Sequence, residues 1–70
     1  MITAVFPGTF DPPTYGHLNI IERTCRLFDR IDVAISINPD KRCLFSAEER
    51  LAMLKELTKG FSNVQVHTCN

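Results

Sequence analysis

Neither sign of charge prevails in this chain. Eight basic residues stand against eight acidic ones, for a formal net charge of zero over 70 residues. It therefore lacks the electrostatic footprint of a nucleic-acid binder or of a protein held on an anionic membrane. No apolar run approaches the roughly 18 residues of a membrane span, and the N-terminus lacks the basic-then-apolar order of a signal peptide. The expectation is a soluble, cytoplasmic chain with no nucleic-acid and no membrane partner. Cysteine is scarce and badly spaced for chemistry. Cys25, Cys43 and Cys69 are odd in number and form no CxxC pair, which argues against a disulfide framework or a zinc site. Cys25 falls on an apolar helix face as a small core residue, and the other two read as incidental thiols. Repeats, low-complexity stretches and an interdomain linker are all missing, as is any Ser/His/Asp or Cys/His arrangement for nucleophilic catalysis. The length allows at most one small domain.

What is present is concentrated in residues 4–17. The apolar run Ala4-Val5-Phe6 is short enough to be a buried strand. It stops at Pro7-Gly8, a loop with Pro12 and Pro13 follows, and Gly16-His17 opens a segment of helical periodicity. Strand, tight loop and helix start in that order build anion sites, because free N–H groups and the helix dipole at an N-terminus favour a phosphate. Gly8 and Gly16 leave room for a ligand against the backbone. Thr9 and Thr14 add hydroxyls, and the His17 imidazole can donate to a phosphoryl oxygen. Either half of this stretch alone could be an ordinary turn; both halves at this spacing, behind a strand and before a helix, point to a phosphate site.

Along the rest of the chain, Leu18, Ile21, Cys25 and Phe28 recur at three- and four-residue steps and predict a first helix over about Gly16 to Phe28. Asn19, Glu22, Arg23, Arg26 and Arg30 fall off that stripe. Glu22 and Arg26 have the i,i+4 spacing of a surface pair, and the arginines read as a solvated helix face. Ile31 to Ile37 alternates, is rich in β-branched residues and predicts a strand ended by Asn38-Pro39. Ser46 and Glu49 form a capping box that starts a second helix. Ala47, Leu51, Leu54 and Leu57 or Thr58 lie on its buried side, Lys55 and Lys59 suit its carboxyl end, and Gly60 sits at C′. Glu48, Glu49 and Arg50 read as helix-start charges with structural roles. Asn63 to Thr68 predicts a third strand with Val64 and Val66 inward and His67 as an exposed or half-buried strand histidine.

The order is therefore β-α-β-α-β. Strands separated by helices pair in parallel through right-handed crossovers, giving an α/β fold with a Rossmann-like open parallel sheet. Ligands bind such sheets at the carboxyl ends of the strands. The loop after strand one and the loop Asn38-Pro39-Asp40-Lys41-Arg42 after strand two then share one edge, so Lys41 can reach an anion held near Thr9 and His17. A lysine there is a flexible point charge suited to phosphate.

Gly8-Thr9-Phe10-Asp11-Pro12 and Thr14-x-Gly16-His17 resemble the paired signatures of the nucleotidyltransferase superfamily, Gly-Ser/Thr-Phe-Asp-Pro and His/Thr-x-Gly-His. The Thr form of the second motif, together with Pro39-x-Lys41 and Phe45-Ser46-x-Glu48-Glu49-Arg50, is similar to the phosphopantetheine adenylyltransferase family of coenzyme A biosynthesis. The resemblance runs from Ala4 to the third strand. Family members continue well beyond this length, with later arginines and a Ser-rich segment completing the ATP site. With Met1 read as a true start, residues 1–70 are thus expected to be the N-terminal part of a single nucleotidyltransferase domain whose C-terminal part is absent.

The resemblance implies reversible adenylyl transfer from ATP to 4′-phosphopantetheine, giving dephospho-coenzyme A and pyrophosphate, by direct attack of the acceptor phosphate on the α-phosphorus. It assigns His17 to the transition state and the ATP phosphates. Thr9 and Phe10 bind ATP, with Thr9 touching both substrates, and Lys41 holds the acceptor phosphate. Gly8, Thr14 and Gly16 support the phosphate loop. Asp11 is expected to shape the loop and not to ligate metal; no metal-binding residue is assigned. Mg²⁺ is expected with ATP, held by the nucleotide more than by protein, and a homo-oligomer, a hexamer in the family, is implied. Two other readings stay open: a sister nucleotidyltransferase acting on a mononucleotide or polyol phosphate, and, for these 70 residues alone, a non-catalytic nucleotide-binding fragment.

Overall fold

The computed structural model describes residues 2–37 and 42–69. Its elements run β1 (Thr3–Gly8), α1 (Tyr15–Cys25), β2 (Arg30–Ser36), α2 (Ala47–Thr58) and β3 (Val64–Cys69). The strands form one parallel sheet in the order β1-β2-β3, so the expected β-α-β-α-β topology is the one observed. Phe6 pairs with Val33 and Val33 with Val66, Ala4 with Ile31 and Ile31 with Val64. Paired residues share a face of a sheet, and this face is the apolar one. Both helices pack on it. Ile21 of α1 and Leu54 of α2 are buried together with Ile31, Val33 and Ile35, flanked by Ala4, Phe6, Leu51, Val64 and Val66. Each fully buried aliphatic side chain there stabilises the fold by about 1.5–3 kcal/mol. The opposite face carries Val5, largely exposed, and the ion pair of Arg30 with Asp32 at 3.0 Å, joined by Gln65.

Several boundaries differ from the sequence reading. β1 runs on through Pro7 and Gly8, because β1 is an edge strand and a proline there forfeits no ladder hydrogen bond on its outer side. α1 begins earlier, capped by Thr14, and ends at Cys25, before Phe28. The Asn63 side chain accounts for that early end: its amide donates to the carbonyls of Cys25 and Phe28, at 2.8 and 3.2 Å, satisfying carbonyls that a longer helix would have paired. Arg30 belongs to β2 and not to the helix surface, whereas Glu22 and Arg26 do form their surface pair at 3.4 Å. α2 ends as expected, with Lys59 at the C-cap. Gly60 follows it at C′, but no glycine among the described residues has a positive φ, so its left-handed freedom is not used. Cys25 packs against the core and its thiol donates to the Glu22 carbonyl; His67 is exposed. No helix among the described residues is long and apolar enough to cross a membrane.

Candidate functional site

The carboxyl end of β1 is where the chain becomes unusual. Phe10 has a positive φ of 52°, a left-handed conformation that costs a non-glycine residue roughly 1–2 kcal/mol. Its ring offsets that cost, being 2 % exposed and capping the core beside Phe6, with ring centroids 5.8 Å apart. Gly8 is what admits the ring. A Cβ on Gly8 would lie 2.9 Å from Phe10 Cε2 and 3.0 Å from Cζ. The space expected at Gly8 for a ligand is thus filled from within by Phe10. Gly16 is different, since a Cβ there would meet only Thr14 Oγ1 at an ordinary 3.4 Å; it remains the glycine whose openness can serve a ligand. With its side chain buried, Phe10 has only backbone groups to offer a phosphate.

His17 is placed by four contacts. It is the third residue of α1, and Thr14 caps the helix by accepting from the His17 backbone N–H at 3.3 Å. The imidazole reaches back in return: Nδ1 accepts the Thr14 backbone N–H at 3.0 Å and lies 3.2 Å from Thr14 Oγ1. The imidazole and the Phe10 ring meet edge to face, centroids 4.8 Å apart at 66°. Because Nδ1 accepts a backbone N–H, the neutral ring carries its proton on Nε2. Nε2–H has no hydrogen-bond partner among the described residues. The sequence motif thus becomes an oriented donor at a helix N-terminus that holds no acidic residue in its first turn. Thr14, expected to support the phosphate site, is the residue that fixes this ring.

The two loops at this edge are tied together. Asp11 accepts the backbone N–H groups of Leu44 and Phe45 at 2.6 and 2.8 Å. Partial burial raises its pKa, but those two donors, the Cys43 side chain and the Arg50 charge more than offset that and hold the carboxyl below its ordinary 3.8. Both oxygens face backbone donors, in keeping with a loop-shaping role, and no group of three metal-capable side chains exists among the described residues. Arg50, read from sequence as a helix-start charge, is instead buried, 3 % exposed. Its Nη1 donates to the carbonyls of Thr9 (2.9 Å) and Ser36 (3.3 Å) and its Nε to that of Ser46 (3.3 Å). The structure therefore brings together Gly8, Thr9, Phe10, Thr14, Gly16 and His17. Lys41 lies outside the described residues. A mostly apolar groove of about 540 Å³, lined by Pro13, Tyr15, Met53 and Leu57 among others, touches this site only at Thr14 and has no basic side chain in its lining.

The chain is similar to known proteins over nearly its whole length. Residues 5–68 match the model of the cytidylyltransferase-like family. The chain is 54 % identical over 66 residues to a phosphopantetheine adenylyltransferase of Caldanaerobacter subterraneus subsp. tengcongensis, covering 94 % of this chain and 41 % of that protein. It is 54 % identical over 66 residues to one of Clostridium botulinum, 94 % and 40 % being covered, and 56 % identical over 66 residues to one of Desulfatibacillum aliphaticivorans, at 94 % and 38 %. The chain spans about two fifths of the length of these curated relatives.

Proposed function

Since the chain belongs to the cytidylyltransferase-like family, we propose that the protein containing it transfers an adenylyl group from ATP to 4′-phosphopantetheine, giving dephospho-coenzyme A and pyrophosphate. The observation that carries this reading is the His17 ring, locked through Nδ1 so that Nε2–H is free to meet a phosphoryl oxygen. The acceptor phosphate displaces pyrophosphate at the α-phosphorus without a protein nucleophile. Catalysis comes from holding two anions in line and meeting the charge that grows on the transferring group. His17 donates to that charge, Thr9 and the Phe10 backbone bind the phosphates, and Lys41 holds the acceptor phosphate. Mg²⁺ accompanies ATP; with both Asp11 oxygens taken by backbone donors, the described residues offer it no ligand set, and no step is assigned to it. The relatives' printed names supply the acceptor, and the same reading makes the protein a cytoplasmic homo-oligomer.

The test is dephospho-coenzyme A and pyrophosphate formation by the full-length protein, with mononucleotides and polyol phosphates as competing acceptors. Turnover of one of those acceptors instead would transfer the assignment to a sister nucleotidyltransferase. The 70 residues alone, which lack most of the relatives' length, should show no turnover. In the full-length protein Lys41→Ala should weaken acceptor binding by about 10- to 150-fold, the loss of one charge-assisted contact, and ATP binding much less. Equal weakening of both ligands in calorimetry would remove Lys41 from the acceptor site.

A further inference from the structure

Two charged residues with no assigned part in the transfer bridge the loops that the proposed function uses. Asp11 follows β1 in the phosphate loop, yet both its oxygens are engaged 33 and 34 residues away, by the N–H groups of Leu44 and Phe45. Leu44 comes three residues after Lys41. Arg50 makes the return connection. It projects from the first turns of α2 to the carbonyl of Thr9, in the loop after β1, and to that of Ser36, the last residue of β2. A buried guanidinium is costly unless its donors are satisfied, and a cation near a helix N-terminus opposes the helix dipole. Arg50 meets the first cost with three carbonyl acceptors and bears the second. These carbonyls could be satisfied by water, but sharing the one Nη1 also fixes the distance between them, while the planar group's Nε holds Ser46.

We propose that Asp11 and Arg50 are positioning residues that lock the loop after β1 and the turn entering α2 into one unit, and so set the separation between the nucleotide phosphates and the acceptor phosphate. The inference rests on the adenylyl-transfer reading. Neither residue needs to touch substrate. Asp11 acts on the segment that leads back to Lys41, and Arg50 acts on Thr9, which that reading places against both substrates. A displacement of about 1 Å in such a frame can cost up to about a hundredfold in rate.

Asp11→Asn keeps the shape of the side chain and replaces one acceptor oxygen by a donor. In the full-length protein, amide hydrogen exchange at Leu44 and Phe45 should then quicken by about tenfold or more. The acceptor KM should rise by a similar factor while the ATP KM stays within about twofold. Combined with Lys41→Ala, the acceptor effect should be less than additive, because Asp11 acts through the segment that carries Lys41. Arg50→Lys keeps the charge but not the fork, and kcat should fall about ten- to a hundredfold with the fold retained by circular dichroism. Faster exchange at Leu44 and Phe45 with both KM values and kcat unmoved would overturn the positioning role while leaving the proposed function intact. An equal rise of both KM values would reduce Asp11 to a general stabiliser and overturn it too. Absence of phosphopantetheine turnover in the wild-type protein would sink the underlying reading, whatever the exchange data show.

Discussion

The two helices of this chain start in the same way with different chemistry. Each has a hydroxyl N-cap that accepts from the third helical residue, whose side chain reaches back to the cap's backbone N–H. In α2 the pair is Ser46 and Glu49, at 3.1 Å in both directions. A carboxylate there satisfies an orphan donor and complements the helix dipole, and Glu48 adds a second acid in the first turn. In α1 the pair is Thr14 and His17, with no acid in the first turn. A neutral imidazole performs the same capping bond with one nitrogen and forgoes the dipole's contribution. What it retains, and a carboxylate cannot, is a second nitrogen bearing a proton. The Glu of α2 is spent on structure. The His of α1 is held by structure and keeps a donor in reserve, at a helix end that carries no anion of its own.

Replacing the histidine tests that contrast most severely. In the full-length protein His17→Ala should lower kcat by about 10²–10³, the usual cost of losing one preorganised donor to transition-state charge, with a much smaller loss of ATP affinity. His17→Glu sharpens the point. It rebuilds in α1 the box that α2 has, so the helix should gain about 0.3–1 kcal/mol, seen as a higher Tm, while kcat falls at least as far as in the alanine variant. If His17 were only a cap, single-turnover kinetics would find a near-normal chemical step in both variants.

The packing beneath the histidine should respond next. Gly8→Ala forces a methyl against the edge of the buried Phe10 ring, at 2.9–3.0 Å. Overpacking of this kind costs about 1–3 kcal/mol, and here it should also disturb His17, whose ring rests on Phe10. A drop in urea midpoint together with a lower kcat is expected for Gly8→Ala; an unchanged midpoint would show that Phe10 has room to retreat.

Matched cap deletions come third. Ser46→Ala and Thr14→Ala should each cost about 1 kcal/mol of stability, but only Thr14→Ala should reduce kcat, because it loosens the imidazole as well as the helix. Equal kinetic effects would erase the distinction between the two starts. Acid titration separates the loops in a related way. The Asp11 carboxyl is held below its ordinary 3.8 by Phe45, Leu44, Cys43 and Arg50 against the opposing effect of burial. A folded-state value below the unfolded one means that Asp11 adds stability above that range, which is lost as the pH falls through it. Asp11→Asn should therefore flatten the acid limb of the stability curve, in urea titrations carried down through and below pH 3.8.

Much of this was legible in the sequence, for local reasons. Ile21, Leu54 and the β-branched run of β2 announced a helix-strand alternation through their spacing, and parallel pairing followed from the order of elements. Ser46 and Glu49 announced their box because acid at the third position is its usual form. The Thr14 box was hidden because histidine is not, and so α1 was expected to start one residue late and Thr14 was taken simply as a phosphate-loop hydroxyl. Its end was misjudged because Asn63, 38 residues from Cys25, supplies the terminating hydrogen bonds, and no local pattern encodes a contact of that range. Arg50 did leave a signal: a cation in the first turns of a helix is electrostatically misplaced, and that misplacement is resolved by the carbonyls of Thr9 and Ser36. Gly8 was read as an opening for ligand because a glycine in a turn commonly is one; only the conformation of Phe10 shows which neighbour fills the space.

The smallest effect is expected at Gly16, and it separates ligand from structure most cleanly. Gly16 lies in the first turn of α1, its φ is not positive, and an added methyl would meet nothing closer than Thr14 Oγ1 at 3.4 Å. Glycine is the costlier choice within a helix by about 0.5–1 kcal/mol relative to alanine. On structural grounds alone, then, Gly16→Ala should be neutral or stabilising by up to about that amount, with the cap and the His17 ring undisturbed. If phosphates approach the amino end of α1, the same methyl stands beside the N–H groups that receive them. Calorimetry should then show weaker ATP binding in the full-length protein although its Tm is unchanged or raised. The corresponding position in α2 is Glu48, where helix stability is served by an acid and no ligand is expected. Undiminished ATP affinity in Gly16→Ala would mean that the amino end of α1 is open for some reason other than the nucleotide, and would leave the Nε2–H of His17 as the single feature separating the two helix starts.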